Sequence, residues 1–266
     1  MKIFSSFLSY LKPSRLKSYL KRALRQVPVI IFWLLVWEGA NFLIESNIII
    51  VSPRATFARL GELGRTAEFW GSIGTSLGRI SRGFVMALGA GIAIAVAASA
   101  SRICRRLVQP AINVINAVPI ASFTLIALMA LSSRQLSVFV AFITVLPIIF
   151  YNTRKGIEST DRQLLEMAAV FNVPPWKQVI YIYVKTVAPY VLSAATAGIG
   201  FAWKSGIAAE LIGVVRGTIG ANLHTARIFL QTADLFAWTI TIVVLSYAME
   251  RAFALVFRRV IKWQSN

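Results

Sequence analysis

The sequence is poor in the residues from which catalytic and redox sites are assembled: among 266 residues it holds one cysteine, one histidine and ten acidic side chains. The lone Cys104 excludes a disulfide within the chain, and its neighbours Arg102, Arg105 and Arg106 suggest a reduced thiol in a basic cytoplasmic loop. His224 stands apart from any clustered cysteines or carboxylates, which leaves neither a metal centre nor a Ser-His-Asp arrangement to build around it. Charge is scarce altogether, at 14% of the chain against 57% hydrophobic residues. So few polar side chains cannot cover a globule in water, and the chain needs lipid as solvent. A phosphate loop is missing as well. Its nearest approach, Gly198 to Ser205, ends in Lys204-Ser205 but lacks the glycine before the lysine and follows no strand. The expectation is a chain that is not an enzyme and carries no catalytic residue, metal or cofactor of its own.

What the chain has instead is long uncharged runs. Residues 83–101, 107–133, 135–153 and 186–203 contain no Asp, Glu, Lys or Arg, and each reaches the roughly 18 residues of a membrane span. Two more runs, 27–44 and 235–257, reach that length if Glu38 and the neighbours Glu250 and Arg251 are tolerated in the membrane or at its edge. The expected fold class is all-α: a polytopic membrane protein of about six transmembrane helices, at about 27–44, 83–101, 108–131, 135–153, 186–203 and 235–257.

The formal net charge of +18 suggests nucleic acid until the basic residues are placed along the chain. With the N-terminus inside and six spans, 19 of the 28 basic residues fall on inner segments. The outer segments hold Arg54, Arg59, Arg65, Arg79, Arg82, Arg134, Lys204, Arg216 and Arg227. The positive-inside rule accounts for this asymmetry with both termini cytoplasmic, and no nucleic-acid partner is needed. Residues 1–26 alternate apolar and basic positions, as an amphipathic segment lying on an anionic inner leaflet does.

Several internal features stand out. Ser52-Pro53 starts a short amphipathic helix on the outer surface, ending near Trp70. Ala87, Gly91 and Ala95 repeat every four residues and put a flat groove on one helix face. Pro110, Asn113, Asn116 and Pro119 crowd the first half of the third span, either as a kinked packing helix or as the lining of a water-filled path. Glu210 follows Lys204 in the stretch 205–220, which is apolar, Gly-rich and too short to span, and reads as a re-entrant or gate segment. For Lys204 and Glu210 a path role and a structural role both stand. Glu250 beside Arg251 reads as a local ion pair.

The connection 153–185 is patterned differently from the spans. Ser159, Thr160 and Asp161 offer N-caps for a helix with Leu164, Leu165, Ala168, Ala169 and Phe171; Asn172 and Pro174-Pro175 then stop it. Pro175 suits the first turn of a second short helix whose apolar face is Trp176, Val179, Ile180 and Tyr183. Such a pair is either a docking element or a surface loop that binds nothing.

Here the sequence resembles the permease subunits of binding-protein-dependent ATP-binding-cassette importers. Their cytoplasmic signature, Glu-Ala-Ala, three residues, Gly, nine residues, Ile-x-Leu-Pro, is matched by Glu166-Met167-Ala168, with Asn172 at the Gly position and Ile182-Tyr183-Val184-Lys185 at the close. Asn tolerates the left-handed conformation such a turn uses; Lys185 replaces the closing Pro. The resemblance runs over about residues 30–262 and is closest to the nitrate, sulfonate, taurine and bicarbonate group. It is carried also by Ser52-Pro53, Thr75 to Gly91, Asn116 to Ser122, Pro147 to Gly156, Ala202-Trp203 and Ala208 to Gly213. It implies a type I ABC importer-like permease domain at 27–262 with a coupling loop at 159–185, in the inner membrane of a prokaryote. It implies four kinds of partner: a second copy of the chain, a cytoplasmic ABC ATPase subunit that holds ATP and Mg, an extracytoplasmic substrate-binding protein and membrane lipid. Glu166, Ala168, Asn172, Pro174 and Trp176 would then meet the ATPase, and Asn113, Asn116, Lys204 and Glu210 are candidates for the path of a small anionic solute. The alternative is an ion-coupled secondary transporter or channel acting without an ATPase.

Overall fold

The computed structural model describes residues 13–44 and 49–264. Residues 1–12 of the expected inner-leaflet segment lie outside the described residues. All regular structure among the described residues is helical. Five helices are long and apolar enough to cross a membrane, and a bent pair adds a sixth if it counts as one broken span.

The first helix, α1 (Pro13–Ile44), carries no buried residue over its apolar window. It is tied in at Trp37, which stacks on Phe236 and donates its Nε1–H to the Val51 carbonyl at 2.9 Å. Glu38 is exposed on its surface. Helix α2 (Pro53–Leu63) begins where Ser52 caps it and Pro53 fills the first turn. Arg59 on α2 reaches Asp234 across the sequence and Glu62 nearby, and these carboxylates hold its guanidinium above the ordinary arginine value.

Helix α3 (Ala67–Ala100), capped by Thr66, starts well before the uncharged run that signals it and takes in Trp70, whose indole donates to the Gly64 carbonyl at 2.9 Å. At 34 residues it is about 50 Å long, more than the hydrocarbon core needs. Helices α4 (Arg102–Ala117) and α5 (Ile120–Ala130) then meet at 105° around Val118-Pro119. Pro119 cannot continue a helix from α4 and disfavours helical backbone at Val118, which is extended. Helix α6 (Ser133–Glu158) follows, then α7 (Arg162–Val170), α8 (Pro175–Gln178), a π-helical segment (Val179–Tyr183) and α9 (Val184–Gly213). Helices α10 (Ile219–Ile228) and α11 (Thr232–Gln264) complete the chain.

The core is a sandwich in which α6 packs along its length against α3 on one side and α9 on the other. Phe84, Ala87, Val145, Ile149, Ala195, Ala202 and Trp203 meet there, all buried. Lipid gives helices no hydrophobic reason to associate, so close approach of backbones must do it. The groove of Ala87, Gly91 and Ala95 is the face α6 enters: a Cβ at Gly91 would stand 2.8 Å from Ile149 Cβ. Trp203 spends its only donor on the Ile242 carbonyl of α11, at 3.0 Å.

Two expectations are corrected. Residues 205–220 do not form a re-entrant segment: α9 runs through Gly213, because Ala208, Ala209, Glu210, Leu211 and Ile212 favour helix and Gly206 fits against Ile80 of α3. Glu250 and Arg251 do not pair. Consecutive helical residues point about 100° apart; Glu250 turns its carboxyl to the Gly200 notch of α9, while Arg251 lies over the Tyr247 ring at 4.9 Å.

Candidate functional site

The helix pair at 161–183 is built by local chemistry. Of the three candidate caps it is Asp161 that closes the N-terminus of α7, accepting from the Gln163 N–H at 2.9 Å. At the other end Asn172 takes φ +50°, and the chain reverses with Val173 N–H donating to the Ala168 carbonyl at 2.8 Å and Asn172 N–H to Ala169 at 3.1 Å. That pair of hydrogen bonds is the left-handed helix stop for which Asn is the best substitute for Gly. Pro174 and Pro175 then set the entry to α8, and the Gln178 amide ties back to the Val173 carbonyl at 2.8 Å.

The corner so fixed presents an apolar surface. Met167, Val170, Phe171, Trp176, Val179 and Ile180 are each half or more exposed, with Phe171 at 73% and Trp176 at 59%. Of the residues matched to the coupling loop, Glu166, Asn172, Pro174 and Trp176 are exposed, whereas Ala168 is 1% exposed and packs beneath the turn. Phe171 was named in sequence only as an apolar residue of the helix and Met167 only within the signature, and Val170 was not singled out. Their signal was available in the spacing, since 167, 170 and 171 share one helical face.

The path candidates fall in two places. Asn113 on α4 accepts from Tyr151 of α6 and from the Gln109 amide at 3.1 Å, while Gln109 itself accepts from Arg154. Asn116 is exposed one turn further on, just before the break at Val118-Pro119. Lys204 and Glu210 are separated: Lys204 is exposed, and Glu210 is fully buried. Six helical residues turn through about 600°, which places them on different faces.

The partners of Glu210 come from α3 and α10. Its carboxyl accepts from the Ser76 hydroxyl at 2.7 Å and from the Gly220 N–H at 3.4 Å; Ser76 Oγ in turn accepts from the Ile219 N–H at 3.1 Å. Thr218 caps the same helix end through the Ala221 N–H, and Asn222 donates to Ser72 at 3.0 Å. Arg79 lies within electrostatic reach of Glu210. Glu210 Oε1 and one Arg79 terminal nitrogen are buried without a hydrogen-bond partner among the described residues. Beside them α9 ends at Val214, a β-branched residue at φ +46°. Ser72 and Ser76 share a helical face of α3 with Arg79; Arg79 was noted in the sequence as an outer basic residue, and the two serines, whose spacing to it is helical, were passed over.

The family described as "Binding-protein-dependent transport system inner membrane component" matches residues 87–262. A Bacillus subtilis (strain 168) protein named as an aliphatic sulfonates transport permease, SsuC, is 24% identical over 96% of this chain and 92% of its own length. The nitrate import permease protein NrtB of Leptolyngbya laminosa is 26% identical over 78% of this chain and 76% of its own. The bicarbonate transport system permease protein CmpB of Synechocystis sp. is 29% identical over 57% and 54%. Among solved structures, a crystal structure of an amino acid ABC transporter aligns with a TM-score of 0.59 at 17% identity, covering 77% of this chain and 95% of that one. The inward-facing MetNI methionine ABC transporter aligns at 0.57 and 16%, covering 72% and 93%. At such identities the structural likeness is one of fold.

Proposed function

Since the chain belongs to the family of binding-protein-dependent transport system inner membrane components, we propose that two copies of it form the membrane path of an ATP-driven importer for a small anion. Family and relatives make it a multi-pass inner-membrane permease of the ABC importer kind. In the proposed assembly residues 27–262 are the permease domain, residues 1–26 lie on the inner leaflet, and both termini are cytoplasmic. An extracytoplasmic binding protein delivers the solute. A separate ATPase, holding ATP and Mg, docks on residues 159–185.

The observation that carries this reading is the apolar corner at 161–183, exposed between the span of α6 and the head of the next and made rigid by its own caps. Exposed apolar area of that kind marks a surface meant for another protein. Glu166, Asn172, Pro174 and Trp176 meet the ATPase, and Ala168 supports them from beneath. Closure of the ATPases pushes the pair. It is continuous with α9 and joined to α6 through residues 159–160, so force on it tilts the two central helices and switches the path between outward-open and inward-open states. Asn113, Asn116 and the α4–α5 break line that path. Lys204 offers positive charge to an anion, and Glu210 braces the outer end. Selection of the ion, whether sulfonate, nitrate or taurine-like, is shared with the binding protein.

Co-purification tests the proposal. Tagged wild type retains an ATPase subunit in mild detergent, and the Glu166→Ala, Trp176→Ala double variant, equally folded by size-exclusion chromatography, loses it. Folded wild-type protein that carries no ATPase and still transports in vesicles without ATP would establish the autonomous transporter instead.

A further inference from the structure

Near the junction of α4 and α6 a cavity of about 500 Å³ is lined by Arg105, Gln109, Tyr151, Arg154, Lys155 and Glu158. Its charges are unevenly used. Arg154 donates to Glu158 at 2.9 Å and to the Gln109 side chain, so the one acidic residue in the cavity is already matched. The Arg105 and Lys155 side chains have no hydrogen-bond or ion-pair partner among the described residues, which leaves two uncompensated cations at the mouth of a prebuilt polar frame. Gln109, fixed by Arg154, also donates to Tyr151 at 3.3 Å and to Asn113, so the back wall is held in place.

The setting of the cavity selects its occupant. Helix α4 is amphipathic: Ile103, Leu107 and Val114 are exposed on one side, at 73%, 72% and 60%, while Arg105, Gln109 and Asn113 turn toward α6. An apolar stripe so exposed belongs in acyl chains, which sets the cavity at the depth where lipid chains give way to headgroups. Ile112, buried against Ala95, Ala98, Leu146 and Phe150, holds this shallow helix to α3 and α6. Basic cavities between membrane helices at the inner boundary suit anionic headgroups, each cation near the surface being worth about fivefold in binding.

We propose that this cavity binds the headgroup phosphate of an anionic phospholipid from the inner leaflet, with Arg105 and Lys155 as its ligands and the lipid chains against Ile103 and Leu107. The site rests on the reading that this end of the bundle faces the cytoplasm, and it is independent of whether an ATPase docks on the neighbouring helix pair.

Native mass spectrometry of the full-length chain tests it, with any co-purifying partners kept and with phosphatidylglycerol or phosphatidylcholine as probe. The expected result is one tightly retained phosphatidylglycerol per chain, no comparable phosphatidylcholine adduct, and about 25-fold weaker retention for Arg105→Gln with Lys155→Gln. Arg105→Lys and Lys155→Arg, which keep the charge, retain the lipid, and this pair decides the matter if the glutamine variant does not fold. Arg102→Gln with Arg106→Gln, an equal loss of charge outside the cavity, changes retention less than about twofold. Equal loss in that control, retention unaffected by the cavity variants, or displacement of the lipid by an equal concentration of inorganic phosphate would each overturn the proposal, the last by making the site one for a free anion.

Discussion

The helix pair at 161–183 and the cluster around Glu210 invert each other's surroundings. The pair exposes apolar side chains, on α7 between two spans and on α8 at the head of the next; the cluster buries polar ones at the end of α9. Both would be unfavourable in an isolated chain, and each is resolved differently. In the cluster, one oxygen of the Glu210 carboxyl is met from within, by Ser76 and the N-terminus of α10, while its other oxygen and one Arg79 nitrogen have no hydrogen-bond partner among the described residues. Nothing among the described residues covers Phe171 and Trp176, which is why the pair reads as a docking surface. Exposed apolar area points outward to a partner, and a buried carboxyl that ties two helices together points inward to architecture.

The largest expected effect separates the two regions by stability. Glu210→Ala strands the Ser76 hydroxyl and the Gly220 N–H in a buried site, and lowers stability by about 3 kcal/mol. Glu210→Gln, which keeps an acceptor, loses about 1 kcal/mol. Thermal unfolding in one detergent reads both, and equal small losses would mean that the cluster does not brace α10.

Two left-handed residues, one at each region, sharpen the comparison at a smaller scale. Asn172 tolerates its φ of +50°, and Asn172→Val lowers stability by about 1–2 kcal/mol. Val214 stands in the same backbone region with the less suitable side chain, so Val214→Gly raises stability by about 1 kcal/mol in the same assay. A destabilised Val214→Gly would show that packing of the valine outweighs its backbone strain.

The smallest effect on stability belongs to the docking face. Trp176→Ala shifts unfolding by less than about 0.5 kcal/mol, because an exposed ring leaves no cavity behind, yet ATP-dependent uptake in vesicles falls to background. A large loss of stability with uptake preserved would move Trp176 from the docking surface into the fold.

Much of this was legible in the sequence, and the limits have physical causes. The spans, the Ser52-Pro53 helix start, the Ala87-Gly91-Ala95 groove and the stop at Asn172 all depend on residues a few positions apart. The bend at Val118-Pro119 was signalled by Pro119, though not its angle. The extension of α9 past Lys204 was misread because glycines that weaken a helix in isolation fit helix contacts here, as Gly206 does against Ile80. The burial of Ala168 and the separate environments of Lys204 and Glu210 depend on which face of a helix meets its neighbour, which hydropathy does not state.

The sequence by itself determined that this chain lives in a membrane as a set of helices with a capped helix pair between two of them, because hydropathy, helix caps and proline geometry act locally along the chain. Only the tertiary structure decided which polar groups are spent and which are free. Glu210 finds Ser76 134 residues away, and Arg154 reaches Gln109 45 residues away while Arg105 and Lys155 stay open. Hydrogen bonds and ion pairs act over a few ångströms in space, and the packing of α3, α4, α6 and α9 decides which residues come that close.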